Sequence, residues 1–131
     1  MDTKKKGQIT EANVMLSLLK KFTVLIPYGE NQKYDFVLEK NGEYKTVQCK
    51  TGRIRNGAII FNLYSVVRDK DTKKHKKVTY HNVDYFGVYC EATNKSYLVS
   101  SEILPQYEGT LRVDEPAIKY SFIRYAKDFE L

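Results

Sequence analysis

The chain has two cysteines, three prolines, seven glycines and no tryptophan, and each scarcity removes a class of protein. Cys49 and Cys90 are too few for the disulfide framework that holds small secreted domains together, and no Cys/His spacing fits a zinc site. Both lie in strand-like apolar runs, where a reduced thiol acts as a small hydrophobe. No run approaches the roughly 18 consecutive apolar residues of a membrane span, and Met1 to Gly7 lacks the apolar stretch of a signal peptide. A cytoplasmic protein without a membrane partner is expected. There is no Gly/Ser linker, internal repeat or low-complexity tract. With 131 residues, 42% of them hydrophobic, the chain can bury one core, so residues 1–131 are expected to form one domain.

Acidic residues are scarce in one place. The net charge is +6 with a pI near 9.2. Between Arg53 and Lys77 eight basic residues (Arg53, Arg55, Arg68, Lys70, Lys73, Lys74, Lys76 and Lys77) face only Asp69 and Asp71, while the rest of the chain carries fourteen of each sign. The whole excess sits in one middle segment, as expected where a loop meets a polyanion. A solvated basic loop with no partner is the competing reading.

Residues 8–22 repeat apolar positions at helical spacing, with Ala12, Met15, Leu19 and Phe22 as one stripe. Thr23 to Ile26 is a short strand closed by Pro27-Tyr28-Gly29, and residues 30–33 read as a loop. Tyr34 to Lys40 and Glu43 to Lys50 are strands joined by Asn41-Gly42, a strong hairpin signal. Ala58 to Leu63 reads as a strand, followed by the basic loop. Tyr85 to Cys90 and Ser96 to Ser100 are two more strands, separated by a polar turn containing Asn94. Short helical turns are expected at Ser101 to Leu104 and Ala126 to Leu131, and residues 105–125 carry no clear signal. The order predicts an α/β domain whose mixed sheet is covered by the first helix.

With Asn41-Gly42 as a two-residue turn, Lys40 lies opposite Glu43 and Asp35 opposite Gln48, with Cβ atoms roughly 4.5–5.5 Å apart. Lys50 shares that face because strand side chains alternate, while Phe36, Leu38, Val47 and Cys49 point the other way. Glu11 lies on the helix in line with Met15, Leu18 and Phe22. A carboxylate beside an apolar stripe needs a partner, and a metal ion or a lysine would serve. Alone, Glu11 reads as a helix-edge acid reaching water; beside Asp35, Gln48 and Lys50 it completes a candidate site.

These residues resemble the PD-(D/E)xK nuclease superfamily, in particular its small branch of group I intron homing endonucleases and archaeal Holliday-junction-resolvase-like proteins. The resemblance runs through Lys6-Gly7 and Glu11, Pro27, Tyr34-Asp35, then Val47-Gln48-Cys49-Lys50-Thr51-Gly52 and Arg53. Gln48 stands where the pattern usually has Asp or Glu, a replacement similar to that in some intron homing enzymes. The resemblance implies a restriction-endonuclease-like core, a mixed β-sheet flanked by helices. It also implies catalytic roles for Glu11, Asp35, Gln48 and Lys50, with Glu11, Asp35, Gln48 and the Cys49 carbonyl as metal ligands. Oxygen donors of this kind suit Mg²⁺, with Mn²⁺ as the alternative. A metal-associated water would attack the phosphodiester while Lys50 orients it or neutralises developing charge. Arg53, Arg55, Lys73, Lys74, Lys76 and Lys77 would contact the DNA backbone. Base readout, if any, is expected from Ala58 to Leu63 and the basic loop.

Site-specific DNA cleavage of the homing type is therefore the leading expectation, with a Holliday junction resolvase, a non-cutting nucleic-acid-binding protein and an RNA-processing factor as alternatives. One site per domain predicts at least a homodimer for cutting both strands, and DNA as partner would place the protein at the nucleoid. His75 and His81 have no partner at metal-ligand spacing, and Ser100-Ser101 has no His/Asp arrangement that would make a nucleophile. The tyrosines, Tyr85, Tyr89 and Tyr97 among them, alternate as sheet positions do.

Overall fold

The computed structural model describes residues 1–29, 32–79 and 82–131. His81 and part of the 30–33 loop lie outside them. Helix α1 spans Thr3–Leu19 and starts earlier than its apolar repeat. Asp2 is the reason: its carboxylate accepts the Lys5 N–H at 2.7 Å, satisfying one of the unpaired donors of the first turn. Among the described residues nine strands follow: β1 (Thr23–Leu25), β2 (Phe36–Lys40), β3 (Glu43–Arg55), β4 (Ala58–Asn62), β5 (Tyr64–Arg68), β6 (His75–Thr79), β7 (Tyr85–Cys90), β8 (Lys95–Ser100) and β9 (Glu108–Arg112). Short 3-10 turns at Ser101–Ile103 and Ala126–Asp128 stand where helical turns were expected.

Among the described residues seven strands form one sheet, ordered β1-β2-β3-β4-β9, with β7 on β3 and β8 on β7. The β3–β7 pair is parallel and the others antiparallel, so the sheet is mixed. Asn41 and Gly42 have φ of 54° and 82°, the left-handed pair that a type I′ turn requires. The resulting register, from Lys40↔Glu43 to Phe36↔Val47, is the one the turn predicts. Asn56 and Gly57, with φ of 52° and 74°, repeat the device between β3 and β4.

Each face of the sheet has its own core. On one, Val14 and Leu18 of α1 pack with Phe36, Leu38, Val47, Cys49 and Tyr89. On the other, Ile59, Phe61 and Leu63 pack with Leu111 of β9 and with Phe86, Val88, Cys90, Tyr97 and Val99. Thus β4 and β9 cover the face that α1 does not. Two glycines permit the close packing: a Cβ on Gly87 would lie 2.7 Å from the Val14 side chain, and one on Gly52 would lie 2.6 Å from that of Ile59.

The helix presents a different stripe from the expected one. Thr10, Val14 and Leu18 are buried, whereas Ala12 and Leu19 are exposed. Met15 and Phe22 reach the core only at its margin. Apolar residues occur around most of α1, so periodicity does not choose the face; the recess over Gly87 does. The basic segment is also not a loop. Residues 64–79 form an antiparallel ribbon, β5–β6, separate from the main sheet. Its turn is built by Asp69, whose Oδ1 accepts the Asp71 and Thr72 N–H groups at 2.8 and 3.1 Å. Within residues 105–125 the chain adds β9 to the edge of β4.

Candidate active site

Strand β3 is longer than either antiparallel partner, and this mismatch makes the site. β2 pairs with it up to Val47 and β4 from Arg53 onward, so residues 48–52 have a strand partner only in β7. Their other edge is unpaired by any described strand. Asp35 stands at a bend just before β2, its N–H donating to the Val47 carbonyl at 2.8 Å. Its Oδ2 in turn accepts the Cys49 N–H at 2.8 Å. The carboxylate thus occupies the edge position that a ladder carbonyl would otherwise take. Because the N–H and C=O of one strand residue point to the same side, the Cys49 carbonyl opens on this edge as well.

Glu11 reaches the same corner from α1 and hydrogen-bonds Asp35. The Glu11 carboxyl is raised from 4.5 to about 7, by burial first and then by the hydrogen bond to Asp35 and the charge of Asp35. Two acids held this close in a partly dry corner cannot both ionise without cost, and here Glu11 holds its proton to a higher pH than an ordinary glutamate. The Cys49 thiol is pushed up by burial, then by the Asp35 and Glu11 charges, and so stays protonated. It offers neither a thiolate ligand nor a nucleophile.

The cleft is lined by Glu11, Asp35, Gln48 and Cys49, with Lys4 and Gln8 of α1 at its rim. Four residues singled out in the sequence therefore meet in one place. They meet at a sheet edge rather than on one face: Gln48 and Lys50 alternate onto the β4 side, Cys49 faces α1, and Asp35 lies past the last ladder pair. This corrects the expectation that Asp35, Gln48 and Lys50 share a face. The bend at Asp35 takes its side chain off the strand period and turns it toward the Cys49 amide.

Lys50 does not line the cleft. Its Nζ donates to the Tyr64 carbonyl at 3.0 Å, at the root of the β5–β6 ribbon. Lys4 was missed in the sequence. Its spacing of seven from Glu11, two helical turns, was the available signal, once the helix is known to start at Thr3. Among the described residues no group of three or more His, Cys, Asp or Glu side chains could hold a metal ion. A metal would rest on two carboxylates, one amide and one backbone oxygen.

The basic residues divide into two groups. Arg53 and Arg55 both reach Glu108, at 3.8 and 3.0 Å, on the surface of β3 and β9. Lys73 and Lys74 lie in the ribbon turn, and Lys76 and Lys77 on β6 with His75. The Lys77 ammonium sits over the Tyr64 and Tyr107 rings at 4.7 and 5.4 Å. The expectation that Ala58 to Leu63 enters a groove fails, because Ala58, Ile59, Ile60, Phe61 and Leu63 are buried core.

Comparison with known proteins bears on this arrangement. Among solved structures the chain is similar to a bacterial homing endonuclease, I-Ssp6803I, with a TM-score of 0.74 over 99% of this chain and 89% of that one, at 20% identity. That likeness establishes the fold. No curated protein sequence matches the chain significantly. The family described as PD-(D/E)XK endonuclease matches residues 1–131. Enzymes of this family generally use divalent metal ions. The chain belongs to the PD-(D/E)XK endonuclease family.

Proposed function

We propose that this endonuclease hydrolyses phosphodiester bonds in DNA with Mg²⁺ as its metal, and that it makes site-specific cuts of the homing type. The observation that carries the reading is the Glu11–Asp35 pair on the unpaired edge of β3. Neither acid belongs to any of the ion pairs among the described residues. Two carboxylates brought together outside any of these ion pairs are what a hard divalent ion would stabilise.

The donor set fits such an ion. Asp35, Glu11, the Gln48 amide oxygen and the Cys49 carbonyl would hold it, all through oxygen, and the protonated Cys49 thiol does not compete. When bound, the ion supplies Lewis-acid polarisation of the phosphate and a water of lowered pKa. The chain supplies the rest. The Cys49 N–H fixes the Asp35 carboxylate, and Lys4 at the rim presents positive charge to an entering phosphate. Lys50, two residues along β3 from Gln48, would reach charge developing on the phosphate by releasing the Tyr64 carbonyl.

One chain carries one such corner, so cutting both strands of a duplex calls for a homodimer or a higher homo-oligomer. The structural neighbour is a homing endonuclease, which favours a duplex site over a four-way junction. The neutral Gln48 supports a second reading, a protein that binds DNA without cutting it. Plasmid and four-way-junction DNA incubated with Mg²⁺ separate these readings. The native chain is expected to cut plasmid, while Asp35→Ala and Lys50→Ala bind but do not cut. Binding without cleavage by all three would leave the second reading standing.

A further inference from the structure

The β5–β6 ribbon has no role in the cleft, yet it holds most of the basic excess. Residues 64–79 contain six basic side chains against Asp69 and Asp71. Asp69 is already committed to capping its own turn. The ribbon has its own two-stranded sheet and is paired with no other described strand. It also exposes apolar side chains, with Val66, Val67 and Val78 at 57%, 51% and 43%. A solubility device would carry charge without valines. A core element would bury them.

Register divides the ribbon into two faces. Tyr64, Val66, Arg68, His75 and Lys77 lie on one, and Val67, Lys76 and Val78 with Ser65 on the other. At the root the first face turns inward, because Tyr64 packs edge-on against Tyr107, 6.1 Å between centroids, with the Lys77 ammonium over both rings. The second face carries Val67 and Val78, 51% and 43% exposed. It offers two branched apolar side chains and an ammonium on one face of the ladder, beside a turn carrying Lys70, Lys73 and Lys74. A two-stranded ribbon fits the roughly 12 Å major groove of duplex DNA, where thymine methyls meet apolar groups and guanine O6 and N7 accept from lysine.

Resting on the proposal that DNA is the substrate, we infer that the β5–β6 ribbon enters the major groove and reads bases with Val67, Lys76 and Val78. The lysines of its turn hold the flanking phosphates. The hydrogen bond from Lys50 to the Tyr64 carbonyl joins the root of this reader to the strand that carries Gln48 and Cys49. Seating the ribbon in its groove thereby sets the position of the cleft along the backbone.

The test is selection from a library of duplexes with a randomised centre, using the native chain in EDTA so that bound duplex survives. The native chain should enrich a sequence, and its preference over bulk duplex should fall about tenfold or more in a Val67→Ala, Lys76→Ala, Val78→Ala variant. Bulk duplex affinity of that variant should stay within several-fold. Replacing Lys70, Lys73 and Lys74 by Ala should instead leave the enriched sequence unchanged and lower the salt slope by about 0.9 for each phosphate no longer neutralised. Thermal melts check folding, and Lys76→Gln alone carries the test if the triple variant melts early. A variant that enriches the native sequence, or a native chain that binds duplex with no preference, overturns the inference and leaves DNA binding intact. A native chain that binds no duplex, or binds only single strands or RNA, overturns the substrate reading itself.

Discussion

The corner at β2–β3 and the ribbon at β5–β6 are both built on antiparallel hairpins, but they are held in opposite ways. The corner is fixed on three sides: Asp35 is tied by its backbone to Val47 and by its carboxylate to Cys49, between the cores that α1 and β4 build on the two faces. The ribbon rests on the body at its root, through Lys50, Tyr107 and Lys77. A hairpin with no third strand is marginal in water. Chemistry that needs fixed geometry is thus placed where packing leaves no freedom, and a surface that must fit an irregular partner is placed where it can adapt.

Matched truncations break the comparison most sharply. Leu18 is fully buried under the corner, and Leu18→Ala is expected to cost about 2–5 kcal/mol in urea unfolding. Val67 removes comparable apolar surface from the ribbon but is half exposed, so Val67→Ala should cost no more than about 0.5 kcal/mol. Equal costs would mean that the ribbon packs on the body as tightly as the corner does.

The same contrast explains how much could be read in advance. The β2–β3 register was legible because Asn41-Gly42 takes only one hairpin geometry and because one face is buried, which forces Phe36, Leu38, Val47 and Cys49 into alternation. The ribbon was hidden because both of its faces meet solvent, so no burial imposes a period on Lys73 to Thr79. Asn56-Gly57 carried the same turn signal as Asn41-Gly42 and could have placed β4 against β3. The parallel β3–β7 pair had no local signal, since its partners are joined through the ribbon. The site residues were legible by type and spacing, but their meeting at an edge was not. It depends on β2 stopping at Phe36 and on a bend at Asp35.

A smaller effect is expected from pH, and it tests the corner alone. The folded Glu11 carboxyl titrates near 7 against an ordinary 4.5, so between these values the folded chain keeps a proton that the unfolded chain has released. The stability contributed by this group is present below pH 4.5, falls as the pH rises toward 7 and stays absent above it. In EDTA, Glu11→Gln should remove this dependence and melt a few degrees above the native chain at pH 8. Added Mg²⁺ should close that gap for the native chain only. Parallel melting curves for the two chains from pH 4.5 to 8 would mean that Glu11 and Asp35 do not meet.

The smallest change in stability belongs to Glu108, and it bears on the ribbon's share of DNA binding. Glu108 occupies both Arg53 and Arg55 on an exposed surface, where such pairs contribute at most about 1 kcal/mol. Glu108→Gln should therefore shift unfolding by only about 0.5 kcal/mol. It also frees two guanidinium groups and removes one negative charge beside them. If these arginines serve the phosphate backbone, affinity for bulk duplex should rise several-fold and the salt slope should steepen by about 0.9 for each further phosphate neutralised. The sequence enriched from a random library should not change, because neither arginine lies on the ribbon. A Glu108→Gln chain with native affinity and slope would assign Arg53 and Arg55 to the surface alone and leave the ribbon as the main basic element that meets DNA.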